Sequence, residues 1–185
     1  MNPADSQSAA QAATAQVSAW VARFAPLVPP GEPVLDLACG AGRHTRLFLE
    51  RGHPVLAVDR DLSRLGDLTA APGLECRACD LEDGTLPDFF ARRFAAIVVT
   101  NYLHRPLLAA MPAALAPGAV LIYETFARGN ERFGKPSNPD FLLEPGELLR
   151  AFMAQLRVVA YEDVVVEAPR PAALQRLCAV APGKS

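Results

Sequence analysis

The residues best placed to do chemistry begin in Val34-Leu35-Asp36-Leu37-Ala38-Cys39-Gly40-Ala41-Gly42-Arg43-His44, an apolar run that ends in closely spaced glycines. Val34, Leu35 and Leu37 have the character of a short buried strand. Gly40 and Gly42 permit a tight turn that a ligand can approach without meeting a Cβ. Helical spacing follows over residues 43–51, with Leu47 and Phe48 inward, so the turn offers the free N–H groups of a helix start to an anionic or carbonyl group. Residues 39–43 are therefore the expected ligand cradle. A strand-to-helix turn with no ligand is the plainer alternative, and groups elsewhere must decide between them.

Such groups recur at strand ends. Gly52-His53-Pro54 breaks the helix, and Val55-Leu56-Ala57-Val58 reads as a second buried strand closing on Asp59. A carboxylate at this distance from the glycines suits hydrogen bonds from both hydroxyls of a ribose. Taken alone it reads as a cap for a helix starting near Ser63. A third strand over residues 74–79 closes on Asp80. A fourth, 94–100, runs into Asn101-Tyr102-Leu103-His104-Arg105, and a fifth, 119–123, follows the turn Ala116-Pro117-Gly118. Strands alternating with helical stretches imply parallel β-α-β units with ligands at the carboxyl ends of the strands. Beyond a helix at 146–154, strands at 156–167 and 174–180 are joined by Ala168-Pro169-Arg170-Pro171, a connection that suits an antiparallel hairpin at the sheet edge.

At Asp36-Leu37-Ala38-Cys39-Gly40-Ala41-Gly42 the chain resembles the class I S-adenosylmethionine-dependent methyltransferases, whose motif reads Asp/Glu, apolar, Gly, x, Gly, x, Gly. Ala38 stands for the first glycine. The resemblance extends to about Val180, and the Cys-Gly-x-Gly-Arg-His run is similar to small bacterial enzymes of the tellurite-resistance or thiopurine type. Residues 102–106 and 123–130 resemble a bacterial subgroup with unassigned acceptors. The resemblance implies an α/β, Rossmann-like three-layer sandwich with a seven-stranded, mostly parallel sheet and an antiparallel C-terminal hairpin. It implies S-adenosyl-L-methionine as cofactor. Gly40 and Gly42 would lie under its methionine and ribose portion, Asp36 would orient the loop or the amino group, and Asp59 would hold the ribose. Asp80 would meet the adenine amino group, the Leu81 backbone the ring, and Asn101 would face the methyl group. Ala38, Cys39 and Arg60 complete the implied set. Nicotinamide binding fits less well, because Thr45 occupies the place of that motif's third small residue.

Methyl transfer requires a nucleophile aligned with methyl and sulfur, plus a proton acceptor when the nucleophile is neutral. The catalytic candidates are His104, Asn101 and Tyr102, with His104 the natural base and helix capping its alternative role. Tyr123 and Glu124, at the end of strand five, are expected beside the acceptor. The segment 126–145 reads as a substrate-facing flap, whose Arg128, Arg132 and Lys135 would attract an anion, or as a solvated connection. No Asn-Pro-Pro-Tyr motif is present.

Composition narrows the partners. With 185 residues, 51% of them hydrophobic, the chain can bury an ordinary core, and 18 basic against 20 acidic residues leave no footprint for a long nucleic acid. A small-molecule acceptor is expected, with no nucleic acid and no membrane. Residues 1–8 are expected to be flexible and 9–185 to form a single domain, cytoplasmic, with no secretory signal or membrane span. Val17, Trp20, Val21 and Phe24 share a helical face that stops before Pro26. It is either packed on the sheet or a lid with Trp20 and Arg23 at its mouth. Of the four cysteines, Cys76 and Cys79 lie within one strand with no second pair, so no metal or redox site is expected. A cofactor-binding regulatory protein, or a methyltransferase acting on protein or RNA, is the alternative function.

Overall fold

The computed structural model describes residues 16–183; the expected flexible stretch 1–8 lies outside them. The strands are β1 (Val34–Leu37), β2 (Val55–Asp59), β3 (Leu74–Ala78), β4 (Phe94–Thr100), β5 (Leu115–Phe126), β6 (Arg157–Val166) and β7 (Ala172–Val180). They form one sheet in the order β3-β2-β1-β4-β5-β7-β6. The first five are parallel, and β7 enters antiparallel between β5 and β6. The order reverses at β1, so the crevice beside its carboxyl end lies between the turns that follow β1 and β4.

Helices cover both faces. On one, α1 (Ala19–Phe24) and α2 (Arg43–Glu50) bury Trp20, Val21, Phe24 and Phe48 against Val34, Val98 and Ile122. On the other, the short helices α3 (Arg105–Leu108), α4 (Met111–Ala114) and α5 (Glu147–Phe152) bury Leu107, Met111, Leu148 and Phe152 against Leu35, Ile97 and Leu121. Successive residues of each central strand serve opposite layers, which is why β1 and β4 are apolar on both sides. The three-layer sandwich with its C-terminal hairpin agrees with the expected fold.

Three local expectations differ. No α-helix starts near Ser63: residues Leu62–Ala70 form 3-10 turns, interrupted where Gly66 takes φ 56° and ψ −127°. Asp61 caps their start by accepting from the Ser63 N–H at 2.9 Å. Strand β5 begins at Leu115, ahead of the expected turn, because a register shift between Phe94 and Ala96 absorbs the extra residues of Pro117-Gly118. Val17 precedes α1. The Ser18 hydroxyl caps that helix, and Arg23 leaves toward Glu162 at 3.8 Å. Trp20 is 3% exposed, so the packed-helix alternative describes α1, and the cavity bordered by residues 16–19 is lined by neither Trp20 nor Arg23.

Candidate active site

The turn after β1 is held by backbone that few side chains tolerate. Ala38 and Gly40 both take φ 57°, so Ala38 accepts the left-handed strain that a glycine would avoid. The Gly40 N–H donates to Asp59 Oδ2 at 2.8 Å, and the Asp61 N–H donates to Oδ1 at 3.1 Å. A cavity of about 280 Å³ lies over this turn, lined by Ala38, Cys39, Gly40, Arg43, Asp59 and Asn101 among others. A second, of about 270 Å³, shares Ala38, Asp59 and Tyr102 and continues along Arg60, Cys79, Asp80, Leu81 and Glu82. Residues expected to contact one cofactor are thus brought around one continuous groove. A Cβ at Gly40 would meet no atom within 4 Å, which leaves that side of the turn open to the groove.

Gly42 is different. It lines neither cavity, and a Cβ there would meet Leu65 Cδ2 at 2.6 Å and Leu68 Cδ1 at 2.8 Å. Its lack of a side chain serves packing under the turn. Asp36 also stays out of the groove: it is 2% exposed, and Oδ2 accepts from Thr45 Oγ1 at 2.6 Å. Burial raises its pKa to about 6 against the opposing pull of the Thr45 hydrogen bonds. It ties β1 to α2 and so orients the loop between them. Burial likewise pushes the Cys39 thiol upward.

Across Asn101 lies a further chamber of about 210 Å³, lined by Arg43, Glu124, Phe126, Arg170, Leu174 and Arg176, with residues 16–19 along one side. Ser18 fastens that side: its Oγ donates to Glu124 Oε1 at 2.8 Å, and its N–H donates to His44 Nε2 at 3.2 Å. Arg43 donates to the Gln16 carbonyl at 3.1 Å and to Thr100 Oγ1 at 3.4 Å. His44 is 1% exposed, and burial together with the Arg43 charge lowers its pKa to about 3. It is therefore neutral, with Nε2 as acceptor and the proton on Nδ1 facing Thr100. The Glu124 carboxylate pairs with Arg176 at 2.6 Å, and Arg176 also reaches Glu162 at 3.1 Å.

Asn101 is the junction. It lines both the turn-side cavity and this chamber, holds φ 55°, and its N–H donates to the Glu124 carbonyl at 2.9 Å. Tyr102 faces the groove, where burial and the nearby Glu82 carboxylate raise its pKa. Tyr123 does not face a substrate. Its neighbour Glu124 takes the chamber side of β5, which sends Tyr123 into the opposite core layer with 0% exposure. There its hydroxyl donates to the Tyr102 carbonyl at 3.0 Å and supports the loop after β4 from beneath.

His104 occupies the N-cap position of α3 without a side-chain capping hydrogen bond, and it lines none of these cavities. Arg128 is paired with Glu144 at 2.7 Å, and Arg132 stacks over Phe133 and donates to the Gly129 carbonyl. Neither lines any of these cavities: the ion pair with Glu144 holds Arg128, and Arg132 lies in a 3-10 segment, Asn130–Arg132, that follows Gly129. Lys135 does line one, an open cavity of about 520 Å³ shared with Asn101, Phe126, Phe141 and Arg170.

The sequence places Arg43 in the ligand cradle but gives no role to His44, Ser18, Arg170 or Arg176. Arg43 and His44 stand inside the glycine motif itself. Gln175 and Arg176 are the polar residues of an otherwise apolar strand, a pattern that signals buried partners. Ser18 and Arg170 carry no such local mark.

No family model matches the chain. A curated trans-aconitate 2-methyltransferase from Sinorhizobium fredii is 33% identical over 136 residues, which cover 71% of this chain and 48% of that protein. The chain thus spans about half the length of that relative. Among solved structures, TehB from Haemophilus influenzae superposes with TM-score 0.70 at 17% identity, covering 89% of this chain and 62% of the other. The 1,6-didemethyltoxoflavin-N1-methyltransferase of Burkholderia thailandensis, solved with bound 1,6-didemethyltoxoflavin and S-adenosylhomocysteine, superposes with TM-score 0.66 at 24% identity, covering 96% of this chain and 83% of the other. The chain has the fold of the class I S-adenosylmethionine-dependent methyltransferases and resembles the tellurite-resistance type among them.

Proposed function

We propose that this chain is an S-adenosylmethionine-dependent methyltransferase acting on a small-molecule acceptor. The observation that carries the reading is the Gly40 to Asp59 contact beneath a continuous groove that opens, past Asn101, into a second chamber. The residues fit the cofactor: Gly40 leaves room where a Cβ would stand, Asp59 ends β2, and Asp80 ends the groove with Leu81 beside it. Asp59 would hold the ribose, Asp80 and the Leu81 N–H the adenine, and Ala38, Cys39 and Gly40 the methionine side. Arg60 would flank the adenosine end. When bound, S-adenosylmethionine supplies an electrophilic methyl group on a positively charged sulfur.

Asn101, rigid at positive φ and bonded to the end of β5, would hold the acceptor against the groove. The neutral His44, bonded to Ser18, keeps the chamber wall in place without adding charge. The curated relative is named for trans-aconitate, and the Burkholderia structure holds 1,6-didemethyltoxoflavin. Both are small molecules, which supports an acceptor of that size here.

Calorimetric titration with S-adenosylhomocysteine and with NAD tests the reading. Binding of the first alone, weakened in Asp59→Ala, is expected. Preference for NAD, or binding of neither, would overturn it.

A further inference from the structure

The basic residues around the acceptor chamber fall into two groups. Arg176 is committed to Glu124 and Glu162, Arg128 to Glu144 and Arg105 to Glu147, while Arg43 bonds to the Gln16 carbonyl and Thr100. Lys135 and Arg170 have no hydrogen bond or ion pair among the described residues, and both line the open cavity beyond Asn101. Arg170 belongs to the connection between β6 and β7, and it lines the inner chamber as well.

Their two loops are built to stay together. Asn130 is 2% exposed, its side-chain amide donates to the Pro136 carbonyl at 2.9 Å, and its oxygen accepts from the Ala173 N–H at 3.3 Å. One buried side chain thus joins the residue after Lys135 to the strand that follows Arg170. The Ala127 N–H adds a bond to the Ala173 carbonyl at 2.9 Å. The rings of Phe126 and Phe141 line the same cavity as the two cations and Asn101.

We propose that Lys135 and Arg170, set by Asn130, form the anion-recognising end of the acceptor site, and that the acceptor joins an apolar body to a carboxylate or similar oxyanion. The inference rests on the methyltransferase reading and names its substrate class. Phe126 and Phe141 receive the apolar body, and the cations fix the charged end farther from Asn101. A neutral analogue would leave two exposed cations unanswered and lose the charge-assisted hydrogen bonds.

The test uses 4-mercaptobenzoate and related aromatic carboxylates that carry a thiol or phenol at the opposite end, each paired with its neutral amide, as acceptors of radiolabelled methyl; the methyl passes from the sulfonium of S-adenosylmethionine to the thiolate or phenolate, whose proton goes to solvent. Carboxylates should be preferred by about tenfold or more in kcat/KM. The double variant Lys135→Glu, Arg170→Glu should abolish the preference while S-adenosylhomocysteine affinity stays unchanged. Asn130→Ala should raise KM for the carboxylate with little change in kcat, whereas Arg128→Ala should change neither. Equal use of amides, no use of any carboxylate, or a preference that survives charge reversal would overturn the proposal. Failure of the wild type to bind S-adenosylhomocysteine would instead overturn the methyltransferase reading.

Discussion

The Gly40 N–H and the Asp59 carboxylate meet at 2.8 Å, so the turn after β1 and the end of β2 are one structural unit before any ligand arrives. Removing the carboxylate should therefore act twice, loosening the turn and deleting the acceptor for two hydroxyls. Asp59→Ala should weaken S-adenosylhomocysteine binding by roughly 100-fold, at about 1.5 kcal/mol for each hydrogen bond to a charged group. Asp59→Asn, which keeps one good acceptor for Gly40, should fall between. Calorimetry decides, and an unchanged affinity in both variants would remove Asp59 from the site.

The two glycines of the turn should fail in different ways. Gly42→Ala drives a Cβ into Leu65 and Leu68 at φ 74°, so it should lower stability by about 2 kcal/mol through strain and forced repacking. Gly40→Ala faces open space and should cost about 1 kcal/mol of stability while reducing cofactor affinity, because its methyl enters the groove. Urea unfolding and calorimetry on both variants separate the effects. Equal losses of affinity would contradict the packing role of Gly42.

Asp36 gives the protein a pH signature. Its pKa is raised to about 6 from 3.8, so between those values the native state holds a proton that the unfolded chain releases. Its burial penalty is complete above pH 6 and relieved as pH falls toward 4. Asp36→Asn keeps the volume and an acceptor for Thr45. It should be more stable than wild type by roughly 3 kcal/mol at pH 8, with the gap closing toward pH 4. Thermal unfolding across that range is the measurement, and a pH-independent difference would refute the assignment.

Ser18 joins three elements through one small side chain and its own N–H. Ser18→Ala removes the α1 cap and the bond to Glu124 and should destabilise by about 1–2 kcal/mol. Affinity for S-adenosylhomocysteine should be unaltered, since Ser18 lines only the acceptor chamber. A large loss of cofactor binding would mean that the two chambers are not independent.

His104→Ala should leave turnover within about threefold of wild type for whichever acceptor proves active. A fall of about 100-fold, the size expected for a lost general base, would reinstate His104 as a catalytic group.

The central strands were legible because β1, β2 and β4 are buried on both faces and read as continuous apolar runs. The residues of the groove were legible for a related reason: parallel strands must deliver their carboxyl ends to one edge, which brings Asp59, Asp80 and Asn101 around it. The sequence reading failed where partners are distant. Arg128 looked as available as Lys135, and only the fold shows that Glu144 holds the one while the other is left facing a cavity. The Tyr123 error was avoidable, since adjacent residues on a strand cannot both face the same chamber. Nothing local to Leu62–Ala70 distinguished 3-10 turns from a helix except Gly66.

The reversal of direction at β7 separates the two sides of the site along the chain. Because β7 runs against β5, the turn that precedes it returns to the same edge of the sheet as the glycine loop, more than a hundred residues earlier in the chain. The groove is built almost wholly from the first half of the chain, and the rim beyond Asn101 from two surface loops in the second. Insertions or exchanges in those loops would reshape the rim while leaving the strained turn at Ala38 and Gly40 untouched.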